Sequence, residues 1–207
     1  MTDFEKRGGV HGVETRADDG KKTLIGYAAV FNSDTTIGDY FIERIAPTAF
    51  DKAIKGDVRA LVDHDTGRVI GRTKSGTLRL AVDERGLRVE IDVPDTADGR
   101  DLWTLVERGD ISGMSFGFRV TKQEWDETGD LPKRTVLEVE LYEVSACAFP
   151  AYDDTELGMR DLNSARQEAE ALAAERDKRA KDAAAAARRV AEKRATMEQK
   201  IRGIRQG

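Results

Sequence analysis

The chain has 207 residues, 35% of them charged and 6% aromatic, with a formal net charge of −5. That acidic balance argues against generic nucleic-acid binding, and no apolar run approaches the roughly 20 residues needed to span a bilayer. A lone cysteine, Cys147, excludes an internal disulfide, and Met1–Glu5 lacks the basic and apolar pattern of a signal peptide, so an intracellular protein is expected.

Taken in chain order, residues 1–23 read as a flexible N-terminal segment with a glycine-rich stretch, Gly8-Gly9-Val10-His11-Gly12. Gly26 to Phe31 is a short buried strand ended by Asn32-Ser33-Asp34, and Pro47 to Ile54 reads as a helix with proline in its first turn. Val58, Ala60 and Val62 alternate as one apolar strand face, and His64 follows in phase with them. Thr77 to Val82 and Leu87 to Val93 flank Asp83-Glu84-Arg85-Gly86, a hairpin signal. Thr96 to Glu107 is a helix with Thr96 as N-cap and Gly109 beyond its end. Ile111 to Thr121 and Thr135 to Phe149 are longer strands, separated by a polar loop. Many strands and few helices predict a mainly β fold with flanking helices (α+β), closed into a β-barrel over 24–155 because closure removes exposed edges.

After Asp153-Asp154 the composition turns abruptly to Ala, Arg, Lys and Glu. Leu162, Ala169, Arg176, Ala183, Val190, Met197 and Ile204 recur at one heptad position, with Ile201 adding a second apolar contact. Residues 156–207 therefore read as a long C-terminal α-helix, a solvated helix or a weak coiled coil with a thin alanine seam.

Three side chains stand out for chemistry. Alternation puts Met114, Phe116, Phe118 and Val120 on one face and Gly113, Ser115, Gly117 and Arg119 on the other. Glycine on both sides of Ser115 leaves an open floor where another backbone can approach, as a peptide-cleaving nucleophile requires. A surface serine on a glycine-weakened strand is the plain alternative. His64 is one of two histidines and the better placed for precise chemistry; a satisfied core histidine is its alternative. Glu143 and Ser145 fall in phase with Leu137, Val139 and Leu141, where a carboxylate needs a partner, either arginine or a histidine that it orients. Two distant histidines and one cysteine cannot form a zinc site of usual ligands, no calcium or phosphate loop is present, and no cofactor is expected. Gly113-Met114-Ser115-Phe116-Gly117 carries the letters of a hydrolase nucleophile elbow but runs on as a strand, which argues against that class.

Read together, several segments resemble the prohead (capsid maturation) protease family of tailed bacteriophages, similar to herpesvirus assemblins. They are Gly26-Tyr27-Ala28-Ala29-Val30-Phe31-Asn32, Ile45-Ala46-Pro47-Thr48-Ala49-Phe50, Leu61-Val62-Asp63-His64-Asp65 with Ile70-Gly71-Arg72, and Ser75-Gly76-Thr77-Leu78. Arg108 to Phe118, Glu143-Val144-Ser145 and Phe149-Pro150-Ala151-Tyr152 complete the series. The resemblance implies an assemblin-like barrel and a serine endopeptidase working by acyl transfer. Ser115 would be the nucleophile, His64 the general base and Glu143 the orienting acid; herpesvirus relatives use a second histidine there, which only His11 could supply. Backbone donors at Gly71-Arg72 are a candidate oxyanion hole. Expected substrates are the major capsid protein, its scaffold domain and the protease itself, inside the immature prohead in the host cytoplasm, with no nucleic-acid or membrane partner. The C-terminal helix would dock on scaffold, self-associate or be trimmed away. A non-catalytic capsid-assembly scaffold or chaperone with a protease-like barrel is the alternative.

Overall fold

The structure is a computed structural model that describes residues 4–9, 12–18, 20–38 and 40–149, and helical backbone at 163, 166–167, 170–171, 174–176, 178–179, 181 and 188. The strands are β1 (Glu5–Gly9), β2 (Val13–Asp18), β3 (Lys21–Val30), β4 (Thr35–Ile37), β5 (Phe41–Ile45), β6 (Arg59–Val62), β7 (Asp65–Arg72), β8 (Leu78–Val82) and β9 (Gly86–Asp92). Helix α1 (Ala97–Glu107) leads into the two longest strands, β10 (Gly113–Asp126) and β11 (Lys133–Cys147).

Two local signals act as the sequence suggests. Thr96 Oγ1 accepts the Gly99 N–H at 3.2 Å and caps α1, which buries Leu102, Trp103 and Val106. The Asp83 carboxylate accepts the Arg85 and Gly86 N–H groups and closes the β8–β9 turn. Pro47 to Ile54, expected as a helix, is instead a run of turns ending in a 3-10 turn at Ala53–Lys55. Eight residues stopped by Gly56 are too few for a self-supporting helix, and what holds them is the burial of Ala49 and Phe50.

The expected closed barrel is not formed. Among the described residues the strands make two sheets: one in the order β1-β10-β11-β5-β4 with β6 attached to β11 and β7 to β6, the other β2-β3-β9-β8. One apolar core, with Ala29, Leu87, Val89 and Ile91 from the second sheet and Phe116, Phe118, Val136 and Val144 from the first, lies among them. The edges are managed without closure: β4 has three residues, and β2 exposes Glu14, Arg16 and Asp18. Two strands, β1 and β2, also lie ahead of Gly26, where the sequence reading opens the domain. The expected long C-terminal helix is not seen either; only scattered helical positions are described, with an Arg179–Glu175 pair of 2.6 Å, and the rest of that segment lies outside the described residues.

Strand β11 forks. Its first half, Lys133 to Val136, pairs in parallel with β5, and its second, Glu143 to Ala146, with β6. The segment carrying Ala49 and Phe50 fills the gap, and Ala49 O accepts the Val139 N–H at 3.1 Å. Phe50 meets Phe116 edge-on at 5.4 Å, and Phe116 stacks on Phe118 at 4.7 Å.

Beneath β1 lies a charged cluster inside the core. Arg7 donates to Glu43 at 2.7 Å and to Glu5 at 2.6 Å, and Arg134 reaches Glu5 at 2.8 Å and Glu43 at 2.9 Å. None of the four side chains is more than 2% exposed. Burial alone would pull the Arg7 guanidinium down, but Glu43 and Glu5 outweigh it and hold it above its ordinary value. Two charges of each sign balance, so the cluster survives only whole.

Arg134→Leu is therefore expected to destabilise the fold by about 3–5 kcal/mol in urea unfolding, because it leaves Arg7 alone against two buried carboxylates and one negative charge uncompensated. A second expectation concerns pH. Hydrogen bonding from Arg79, opposed by partial burial, lowers the Asp92 carboxyl to about 2 from 3.8. A lowered acid stabilises above its unfolded value and loses that contribution as pH falls toward the folded one. Screened by water at the half-exposed Arg79, the gain is about 1 kcal/mol. The stability gap between wild type and Asp92→Asn in thermal melts should thus be open near neutral pH and closed near pH 2.

Candidate active site

The β10–β11 ladder sets the site. Ser115 stands opposite Ser145, and Gly117 opposite Glu143; the next pair is Phe118 with Leu141, so Tyr142 is an extra residue bulged out of β11. This bulge corrects the alternation argument. Leu141 and Val139 join the core, whereas Glu143 and Ser145 lie on the opposite face with Ser115 and Gly117. Glu143 is thus not a misfit on an apolar face. It belongs to a polar face that a one-residue insertion creates.

His64 does not continue the β6 strand. It is the second residue of the two-residue turn joining β6 to β7, and Asp63 and His64 both take positive φ, 51° and 60°. Such a turn suits Asn-Gly, and a bulky residue there is held against its preference. Two bonds to β11 do the holding: Asp63 N–H to Ala146 O at 3.0 Å, and His64 N–H to Ser145 Oγ at 3.2 Å. The turn thereby lays the imidazole on the polar face, where Nδ1 lies 2.6 Å from Glu143 Oε1. A carboxylate only accepts, so Nδ1 carries a proton, and in the neutral imidazole Nε2 is then the acceptor. The His64 side chain is 16% exposed and that of Glu143 8%.

Ser115 lies on the same face but is not bonded to His64. It is 1% exposed, and its hydroxyl donates to the Arg7 carbonyl of β1 at 2.7 Å. Gly8, its partner in the β1–β10 ladder, adds no side chain over it. The structure thus joins His64 with Glu143 and sets Ser115 one strand away on the same face. His11 lies outside the described residues. The Arg72 N–H, a candidate oxyanion donor, is already given to Thr77 Oγ1 at 3.0 Å. Cys147 is buried, and that burial, with Asp63 next in weight, pushes its thiol up to about 12, which leaves no thiolate for nucleophilic work. Beside Glu143 a groove opens between Phe4, Arg59, Leu61, Val69, Arg119 and Tyr142, wide enough for side chains of an incoming peptide.

Two features escape the sequence reading: the Arg7 carbonyl, and the bond from Ser145, named there only as sharing the face of Glu143. The Arg7 carbonyl gives no sequence signal, because any residue carries one. Ser145 has a readable signal: a hydroxyl two residues beyond an acid on a strand shares its face.

Residues 11–169 match the family model described as Caudovirus prohead serine protease. Over 141 residues the chain is 35% identical to the prohead protease of Enterobacteria phage HK97, covering 64% of this chain and 58% of that protein. Over 148 residues it is 27% identical to the prohead protease of Escherichia phage T5, covering 70% of this chain and 66% of that one. The alignments thus span less than two thirds of either relative's length. Among solved structures, the bacteriophage T4 capsid assembly protease superposes with a TM-score of 0.45 at 14% identity, over 71% of this chain and 96% of that one.

Gly117 offers a test of the geometry. A methyl group there would run into Glu143 Oε1 and the Phe4 ring tip, both ends of movable side chains. Gly117→Ala should therefore fold, with a loss of no more than about 1–2 kcal/mol, while pushing the carboxylate off His64. Loss or shift of the His64 Nδ1 proton resonance in an otherwise native NMR spectrum is the expected result.

Proposed function

The chain belongs to the caudovirus prohead serine protease family, and from that premise we propose that it is a serine endopeptidase that trims capsid and scaffold proteins during prohead maturation, and itself. Ser115 is the nucleophile, His64 the general base and Glu143 the acid that orients it. The observation that carries the reading is the 2.6 Å contact of His64 Nδ1 with Glu143, on the β10–β11 face that also bears Ser115. Such a contact fixes the tautomer whose Nε2 can take a hydroxyl proton.

In the proposed reaction the Ser115 hydroxyl leaves the Arg7 carbonyl and turns to His64 Nε2. Its oxygen attacks a peptide carbonyl as the proton passes to the imidazole, and Glu143 stabilises the imidazolium that forms. The proton then goes to the leaving amine, and water repeats the sequence on the acyl-enzyme. The bare backbone of Gly8 opposite Ser115 supports this reading, since that position of β1 lays no side chain over the serine. The place of action is the interior of the immature prohead in the host cell. The catalytic unit takes in β1 and β2 together with the 24–155 stretch, and 156–207 is an appended segment that docks on scaffold, self-associates or is trimmed.

One observation favours a second reading. Ser115 is buried and already satisfied by Arg7, as a structural serine in a non-catalytic assembly scaffold or chaperone would be.

Co-expression with the cognate capsid and scaffold proteins, followed by intact-mass analysis, separates the two. Trimmed products with wild type and full-length chains with Ser115→Ala are expected, and Glu143→Gln should slow trimming by roughly a thousandfold or more while the protein stays folded. Equal trimming by wild type and Ser115→Ala removes the serine assignment, and no trimming by either favours the scaffold reading.

A further inference from the structure

Ser145 is fully buried, and its hydroxyl is engaged from both sides. It donates to Glu143 Oε2 at 2.6 Å and accepts the His64 backbone N–H at 3.2 Å. Together with the His64 Nδ1 contact on Oε1, these bonds close a ring: histidine backbone to serine, serine to carboxylate, carboxylate to histidine side chain. We infer that Ser145 is a positioning residue for the His64–Glu143 pair, an inference that rests on the assignment of those two residues and Ser115 to the reaction.

The reasoning starts from the torsion that ends a glutamate side chain. Its well is broad and two-fold, so a carboxylate held at one oxygen alone turns readily. Holding Oε2 stops that turn and keeps Oε1 on Nδ1. A hydroxyl has one proton to give, and here it goes to the carboxylate, so the lone pairs face the His64 N–H. That second bond also restrains a turn residue with a φ of 60°, which lacks the glycine such a turn prefers. One side chain therefore sets the orientation of the acid and the seat of the base. Ser145 itself stands beside Ser115 in the ladder, and the two hydroxyls donate elsewhere, to Glu143 and to the Arg7 carbonyl.

A graded series of donors tests this in the full-length chain: Ser145→Thr keeps the hydroxyl, Ser145→Cys keeps the size with a weak donor, and Ser145→Ala has none. The substrate is the cognate capsid precursor, and the His64 Nδ1 proton is followed by NMR in parallel. We expect kcat to fall in the order threonine, cysteine, alanine, by roughly ten- to a hundredfold at the last, with KM unchanged. The Nδ1 resonance should be retained in Ser145→Thr and broadened or shifted in Ser145→Ala. Should Ser145→Ala fail to fold, the threonine–cysteine pair still reads the donor. A kcat and a resonance indifferent to the donor overturn the inference. Ser115→Ala is the companion control. If that variant still cleaves, the catalytic assignment falls, while the resonance still decides whether Ser145 holds the pair. If it is inactive and the Ser145 series is flat, only the role of Ser145 is lost.

Discussion

The register of β10 against β11 is the constraint on which the site depends, since it sets Ser115 beside Ser145 and Gly117 beside Glu143. Side chains alternate with period two, so a slip of one residue would send Glu143 into the core and bring Val144 out. Two devices at opposite ends of the ladder hold it. Near the start of β11, Arg134 is bound to Glu5 and Glu43 inside the core, where no neighbouring register offers it two carboxylates. At the other end, β6 pairs in parallel with Glu143 to Ala146 and carries the His64 turn with it. Between them the register shifts three times, and the site lies just beyond the last of these along β11, the Tyr142 bulge.

Charge is handled in two different ways within one sheet. On the core face, Glu5, Arg7, Glu43 and Arg134 neutralise one another and give no group to solvent. Such a cluster contributes little net stability compared with apolar packing, but it makes the position of β1 all-or-none. On the opposite face Glu143 has no guanidinium within bonding distance among the described residues, and its oxygens go to His64 and Ser145 instead. An arginine there would satisfy the carboxylate and take it away from the imidazole. The outcome between the two alternatives the sequence leaves open, arginine or histidine, is thus decided by geometry: Arg134 is held in the buried cluster on the other face, and Arg59 and Arg119 line the groove without an ion pair to Glu143.

Much of this was legible and some was not, for reasons that can be named. The hairpin at Asp83 and the cap at Thr96 are local, and local chemistry decided them. Alternation alone puts Glu143 on the core face, because periodicity cannot see the bulge that moves it to the polar one. His64 was placed in phase with Val62, whereas positive φ at Asp63 turns the chain before it. Closure of a barrel was inferred from strand number, but whether edges meet depends on twist and tilt, which composition does not encode. Strand β1 was missed because its buried residues are Glu5 and Arg7, which read as solvent-facing until partners from β5 and β11 are known.

The ladders around Ser115 also bear on when the site can come into being. Gly8 meets Ser115 at a separation of 107 residues, and Leu61 meets Ser145 at a separation of 84. Loop closure on that scale costs entropy before any contact repays it, and parallel pairing such as β6 on β11 forms slowly. A chain leaving the ribosome has α1 and the β8–β9 hairpin to fold as local units, but it holds no assembled His64–Glu143 pair until β11 has emerged. Assembly of this face is thereby deferred to the end of the folding sequence by topology alone.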